Sequence, residues 1–137
     1  MSTLVDTSVW SLALRRKSAP SSREETLKRL ILDGQVRMIG PIRQELLSGI
    51  PDPEQFEALE SRLAYFPDTP ILTSDYELAA SFFNLCRQHS VQGSHIDFLI
   101  CAVAASNDFQ IYTTDKDFLS YRKHIPIVLF EDSFNVE

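Results

Sequence analysis

Four acidic residues stand far apart in the chain. They are Asp6 in LVDTSVW, Glu45 in GPIRQELLSG, Asp97 in GSHIDFLI and Asp115 in YTTDKDF. Each falls where a strand-like stretch hands over to a helix, or just inside a helix. Carboxylates repel one another, so a fold that gathers them needs something positive between them. Hard divalent cations such as Mg²⁺ and Mn²⁺ prefer oxygen ligands of this kind. A cation held beside a phosphate ester offsets its charge and activates water at neutral pH. The pattern therefore points to a metal-dependent enzyme acting on phosphate esters.

Taken singly, each carboxylate also has an ordinary structural reading. Asp6 could be a helix N-cap, and Asp115 could cap the helix in DKDFLSY. Asp117 would favour the positive end of that same helix. Glu45 could be an exposed glutamate in mid-helix. Asp97 lies three residues after Ser94, a capping-box-like spacing with Asp in place of Glu. Yet Asp97 also opens the most apolar helix of the chain, where an unpaired carboxylate would be costly.

The elements that must position these residues alternate along the chain. Strands are expected at 2–6, 35–39, 110–114 and 126–130. Helices are expected at 7–16, 22–33, 53–65, 75–90, 115–121, in a short segment from Gly40-Pro41 to Gly49, and from Ser94 to about Asn107. Gly34 and Gly49 read as helix stops and Pro41 as a first-turn proline. Residues 17–22 (KSAPSS) read as a loop. This order predicts an α/β fold, a three-layer α/β/α domain with a mainly parallel central sheet. In such sheets ligands bind beyond the carboxyl ends of the strands, where Asp6 and Asp115 are expected. Glu45 and Asp97 fall in early turns of helices that could start at the same end. The four can therefore converge.

Composition bounds the rest. The 137 residues, 44% hydrophobic and 23% charged, suit one globular domain over 1–137. No run of roughly 18 apolar residues would span a membrane. The N-terminus lacks the pattern of a secretory signal, so a cytoplasmic location is expected. The two cysteines, Cys86 and Cys101, lie in apolar helical patterns and read as buried free thiols. His89, His95 and His124 form no ligand spacing and read as surface or cap residues. The net charge of −6 is unusual for a nucleic-acid binder, although ligand carboxylates account for part of it. Arg15-Arg16-Lys17 and Arg122-Lys123 are the local basic clusters. The stripes Phe56-Leu59-Leu63 and Leu78-Phe82-Leu85 are candidates for core packing or for a helix interface.

With these segments in this order, the chain resembles the PIN-domain ribonucleases, and among them the VapC-type toxins of toxin–antitoxin pairs. The matching segments are LVDTSVW, PIRQELLSG, IDFLICAVA and IYTTDKDF, which run from residue 4 to residue 118. The resemblance implies endonucleolytic cleavage of RNA with Mg²⁺, or Mn²⁺, held by carboxylates. Carried over by motif, Asp6, Glu45, Asp97 and Asp115 are the acidic set. Asp6 and Asp97 would bind the principal ion, with Glu45 and Asp115 completing the site directly or through water. Asp117 matches a second acidic position of the last motif, and Ser8 and Thr113 match small hydroxyl residues flanking the site. Hydrolysis would leave 5′-phosphate and 3′-hydroxyl ends. A small cognate antitoxin and a homodimer are the implied partners.

Rival readings remain open on the sequence. A housekeeping RNA-processing nuclease would share the acidic set. A Mg²⁺-dependent phosphatase or phosphoacceptor domain would also gather carboxylates at strand ends. VDTSVW, however, lacks the second aspartate two residues after Asp6 that a haloacid-dehalogenase-type phosphatase needs. A non-catalytic module that kept the fold is the third.

Overall fold

A computed structural model describes residues 1–14 and 22–134. The basic cluster Arg15-Arg16-Lys17 and most of the expected loop at 17–22 lie outside the described residues.

Three short parallel strands form the sheet: β1 (Thr3–Val5), β2 (Val36–Arg37) and β3 (Gln110–Tyr112), in the order β2-β1-β3. All three residues of β1 are buried, as expected for a strand covered on both faces. Two extended segments continue the sheet by one bridge each. Met38 pairs with Asp68 beyond β2, and Ile111 with Leu129 beyond β3.

The strand expected at 126–130 is therefore not formed as a strand. Pro126 has no N–H to give. The N–H of Ile127 turns back to the carbonyl of Ile125, at 2.9 Å. What remains is one bridge, in which Ile111 donates to Val128 O at 2.9 Å and accepts from Phe130 N–H at 2.8 Å. The other strands occur where expected but are shorter at their ends.

The helices are α1 (Thr7–Leu14), α2 (Ser22–Leu32), α3 (Gly40–Leu47), α4 (Pro53–Leu63), α5 (Thr73–Gln88), α6 (His95–Ser106) and α7 (Asp117–Tyr121). Gly34 and Gly49 follow α2 and α3 with φ of 68° and 85°, a left-handed conformation that glycine adopts without steric cost. Asp52 caps α4 by accepting from Gln55 N–H, with Pro53 in the first turn.

The connections from β1 to β2, and on to the Asp68 bridge, step the same way across the sheet. The chain then returns past β1 to β3. Crossovers of one hand thus put α1–α4 on one face and α5–α6 on the other. The packing follows this division, with α1 against α2 and α3, α3 against α4, and the most extensive helix contact between α5 and α6.

In α6, Phe98 through Ala104 are all buried, which accounts for its continuous apolar sequence. The two stripes are mostly core. Leu59, Leu63 and Phe82 are buried and Phe56 and Leu78 half-buried, while Leu85 is exposed. Cys86 and Cys101 are buried and free. Among the described residues no helix is long and apolar enough to cross a membrane.

The direction reversal falls between β1 and β3. Neighbouring connections leave these two strands toward opposite faces, which opens a crevice at their carboxyl ends. Asp6 follows β1 directly, and Thr113 to Asp117 follow β3.

Candidate metal centre

Asp6 is held at this crevice by backbone and side chain together. Its N–H donates to Tyr112 O at 2.9 Å, tying the ends of β1 and β3. Its carbonyl accepts from Val9 N–H at 3.0 Å and so starts α1. The carboxylate, only 7% exposed, accepts two hydroxyls on Oδ2, from Ser8 at 2.8 Å and from buried Thr113 at 2.8 Å. Those hydroxyls receive backbone N–H groups in turn. Thr114 N–H donates to Ser8 Oγ at 3.1 Å and Asp115 N–H to Thr113 Oγ1 at 3.0 Å. Among the described residues the Asp6 side chain thus takes hydroxyls rather than the helix N–H groups that a plain N-cap would take.

Asp97 comes from the first turn of α6. Ser94 caps that helix, accepting from Asp97 N–H at 3.0 Å. The carboxylate is half-buried, and its Oδ2 accepts the Tyr121 hydroxyl at 2.7 Å. Burial raises its pKa above the usual carboxylate value. The Tyr121 hydrogen bond opposes this, and the charges of Asp115 and Asp6 add to it. Burial and the Asp97 carboxylate push the Tyr121 hydroxyl far above its ordinary range, so it stays protonated and donates to the Asp97 carboxylate.

Asp115 and Asp117 come from the turn into α7. Asp117 N–H donates to Asp115 Oδ1 at 2.9 Å, so the expected capping role of Asp115 is also present. One carboxylate oxygen from each of Asp97, Asp115 and Asp117 lies within 4.8 Å of the others. Two ligand oxygens on opposite sides of one Mg²⁺ stand about 4.2 Å apart, so small side-chain adjustments would let the three share an ion. The donor set is all oxygen and all anionic, which fits a hard divalent cation.

Glu45 stands on the neighbouring helix. It is exposed and accepts from Thr7 Oγ1 at 2.8 Å. It lines a cleft of about 420 Å³ with Thr7, Pro41, Gln44, Ser48 and Ile96.

The structure thus brings Asp97, Asp115 and Asp117 together directly. Asp6 joins through Ser8 and Thr113, and Glu45 borders the site through Thr7. The histidines stay apart from these carboxylates: His89 and His124 stack on each other and His95 stacks on Phe83. Sequence reasoning missed Tyr121 and Thr7. Thr7 adjoins Asp6, a position that alone gives no hint of the Glu45 contact. Tyr121 reads as one more core aromatic in DFLSYRK, and nothing in the sequence pairs it with Asp97.

A PIN domain model matches residues 3–124. The chain belongs to the PIN domain family. Solved structures of similar fold include FitAcB from Neisseria gonorrhoeae, with TM-score 0.75, 21% identity, and 93% of this chain and 96% of that one covered. VapBC2 from Rickettsia felis, bound to a DNA fragment from its promoter, has TM-score 0.77 and 16% identity, covering 95% of this chain and 98% of that one. FitAB bound to an IR36 DNA fragment has TM-score 0.76 and 21% identity, with 93% of each chain covered. At these identities the likeness is one of fold. No curated protein matches the chain.

Proposed function

We propose that this PIN domain is a divalent-metal-dependent endoribonuclease and the toxin of a type II, VapBC-like toxin–antitoxin pair. The observation that carries the reading is the convergence of Asp97, Asp115 and Asp117, beside a hydroxyl-clamped Asp6, at the carboxyl ends of β1 and β3. Family membership supports the nuclease part, and the toxin–antitoxin complexes among the neighbours support the partner.

In this reading Asp97, Asp115, Asp117 and Asp6 hold Mg²⁺ or Mn²⁺, directly or through water. When bound, the cation offsets phosphate charge and makes water a competent nucleophile at neutral pH. The chain's own groups do the rest. Ser8 and Thr113 fix the Asp6 carboxylate so that it does not relax away from the other acids. Glu45, held by Thr7, faces the cleft that RNA would enter, where it can orient water by accepting its hydrogen bond. Hydrolysis of this kind leaves 5′-phosphate and 3′-hydroxyl ends. No histidine is needed as acid or base.

A cytoplasmic location, an antitoxin that covers the acidic crevice and a homodimer complete the proposal. An arginine of the antitoxin would match the carboxylates as a bidentate partner.

Induced expression in a bacterial host tests the toxin reading. The wild-type chain should arrest growth, and Asp6→Asn, folded and equally abundant, should not. Normal growth with abundant, folded wild-type protein would count against a toxin. Arrest that persists in Asp6→Asn would count against catalysis at this site.

A further inference from the structure

We infer that Tyr121 is a positioning residue for the metal centre: its buried hydroxyl holds Asp97 in the orientation that meets Asp115 and Asp117. This inference rests on the reading of Asp97 as part of a cation site.

Three features of the molecule converge on it. The first is the hydrogen bond itself, 2.7 Å long and joining α7 to the head of α6 across 24 residues of sequence. A carboxylate beside two others would otherwise rotate away from them, because the three repel. One fixed donor on Oδ2 removes that freedom before any cation arrives.

The second is the rigidity of the donor. Tyr121 is 0% exposed, with its ring packed on Phe98 at 4.8 Å and Phe118 at 5.1 Å between centroids. A ring locked in this way delivers its hydroxyl to one place. Outer groups that orient ligands are commonly held in this manner.

The third is Gly93. Its φ is not among the positive ones, so backbone freedom does not explain a glycine there. Space does. A Cβ at this position would stand 2.7 Å from Cζ and 2.8 Å from Cε1 of Tyr121. A fully buried ring has no room to yield. The glycine just ahead of α6 thus leaves the space that Tyr121 occupies beside Asp97.

Tyr121→Phe keeps the ring and removes only the donor. Mn²⁺ binding, read by the electron paramagnetic resonance of free ion during titration, should weaken on the order of 10-fold or more. Circular dichroism should stay native. Gly93→Ala, which presses on the ring, should weaken binding in the same direction. Leu63→Ala opens the core on α4, on the opposite face of the sheet from α6 and away from the Tyr121 ring. It should lower thermal stability and leave Mn²⁺ affinity within about 2-fold of wild type, a margin well inside the change expected when an outer group is lost. Equal affinity in wild type and folded Tyr121→Phe would overturn the positioning role while leaving the cation site standing. Weakening by Leu63→Ala as large as that by Tyr121→Phe would also overturn it, since lost stability alone would then explain the loss. No Mn²⁺ binding by the wild-type protein would instead overturn the cation site, and the inference with it.

Discussion

Asp97 stands half-buried among like charges, and its proton therefore reports on the whole centre. Its pKa is raised in the folded, metal-free protein, chiefly by burial. The folded state then holds this proton more tightly than the unfolded chain does. That contribution to stability is complete below the ordinary carboxylate pKa and is lost as pH rises through the raised value. The urea midpoint of metal-free protein should show this loss, and Asp97→Asn should remove that part of the pH dependence. Added Mg²⁺ should restore stability above the window, because it binds the folded state preferentially. An unchanged pH profile in the variant would contradict the assignment. A second prediction concerns the thiols. Burial raises the pKa of both Cys86 and Cys101, the latter strongly, so neither presents a reactive thiolate. Alkylation by iodoacetamide should be slow in the native protein and rapid in denaturant; fast native labelling would show that α5 and α6 open. Residue types alone carried much of this. Asp97 after Ser94 at the head of an apolar helix pointed to an enclosed carboxylate, and the cysteines in apolar patterns pointed to buried thiols. Tyr121 was not legible, because its partner lies 24 residues away and its neighbours make it look like ordinary core.

Strand ends and helix starts do the positioning at the next scale. β1 and β3 each end one residue before a group that contacts the site, Asp6 and Thr113. Their ends are tied by the Asp6 N–H to Tyr112 O bond. The connection between α4 and α5 is pinned by Arg43 on α3. It donates to the carbonyls of Leu63 and Phe66 and pairs with Asp68 at 2.9 Å. Those bonds hold the segment that bridges Met38. Arg43→Ala should destabilise the fold by about 1–3 kcal/mol, mainly through the lost donors to the Phe66 and Leu63 carbonyls, of which Leu63 O keeps the Phe66 N–H at 3.0 Å. The ion pair to half-exposed Asp68 adds little in water. Most of the loss should therefore persist in about 1 M NaCl, where exposed pairs are screened. A loss abolished by salt would mean that the ion pair dominates. The helices were readable because caps, glycines and apolar spacing agree on them. The segment at 126–130 was not, since PIVLF has strand-like residues and only its backbone geometry limits it to one bridge at Leu129.

For the molecule as a whole, the reversal of strand order between the parallel neighbours β1 and β3 is what concentrates the acids. It also makes one face of a chain with net charge −6 still more negative, which by itself would repel RNA. Activity should thus depend on divalent cation for substrate approach as well as for chemistry. The order of the four acidic segments made the fold class legible, and with it the strand ends beside which Asp6 and Asp115 lie. The grouping of Asp97 with both Asp115 and Asp117 needed three dimensions, because it depends on how α6 and α7 meet. The decisive measurement is the end chemistry of RNA exposed to purified, partner-free protein, with Mg²⁺ or Mn²⁺, with EDTA, and with Asp97→Asn in place of wild type. Fragments carrying 5′-phosphate and 3′-hydroxyl ends, formed by the wild type with metal and absent in the other two cases, are predicted. Cleavage that survives EDTA, or that leaves cyclic phosphate ends, would contradict a carboxylate-bound metal as the source of activity.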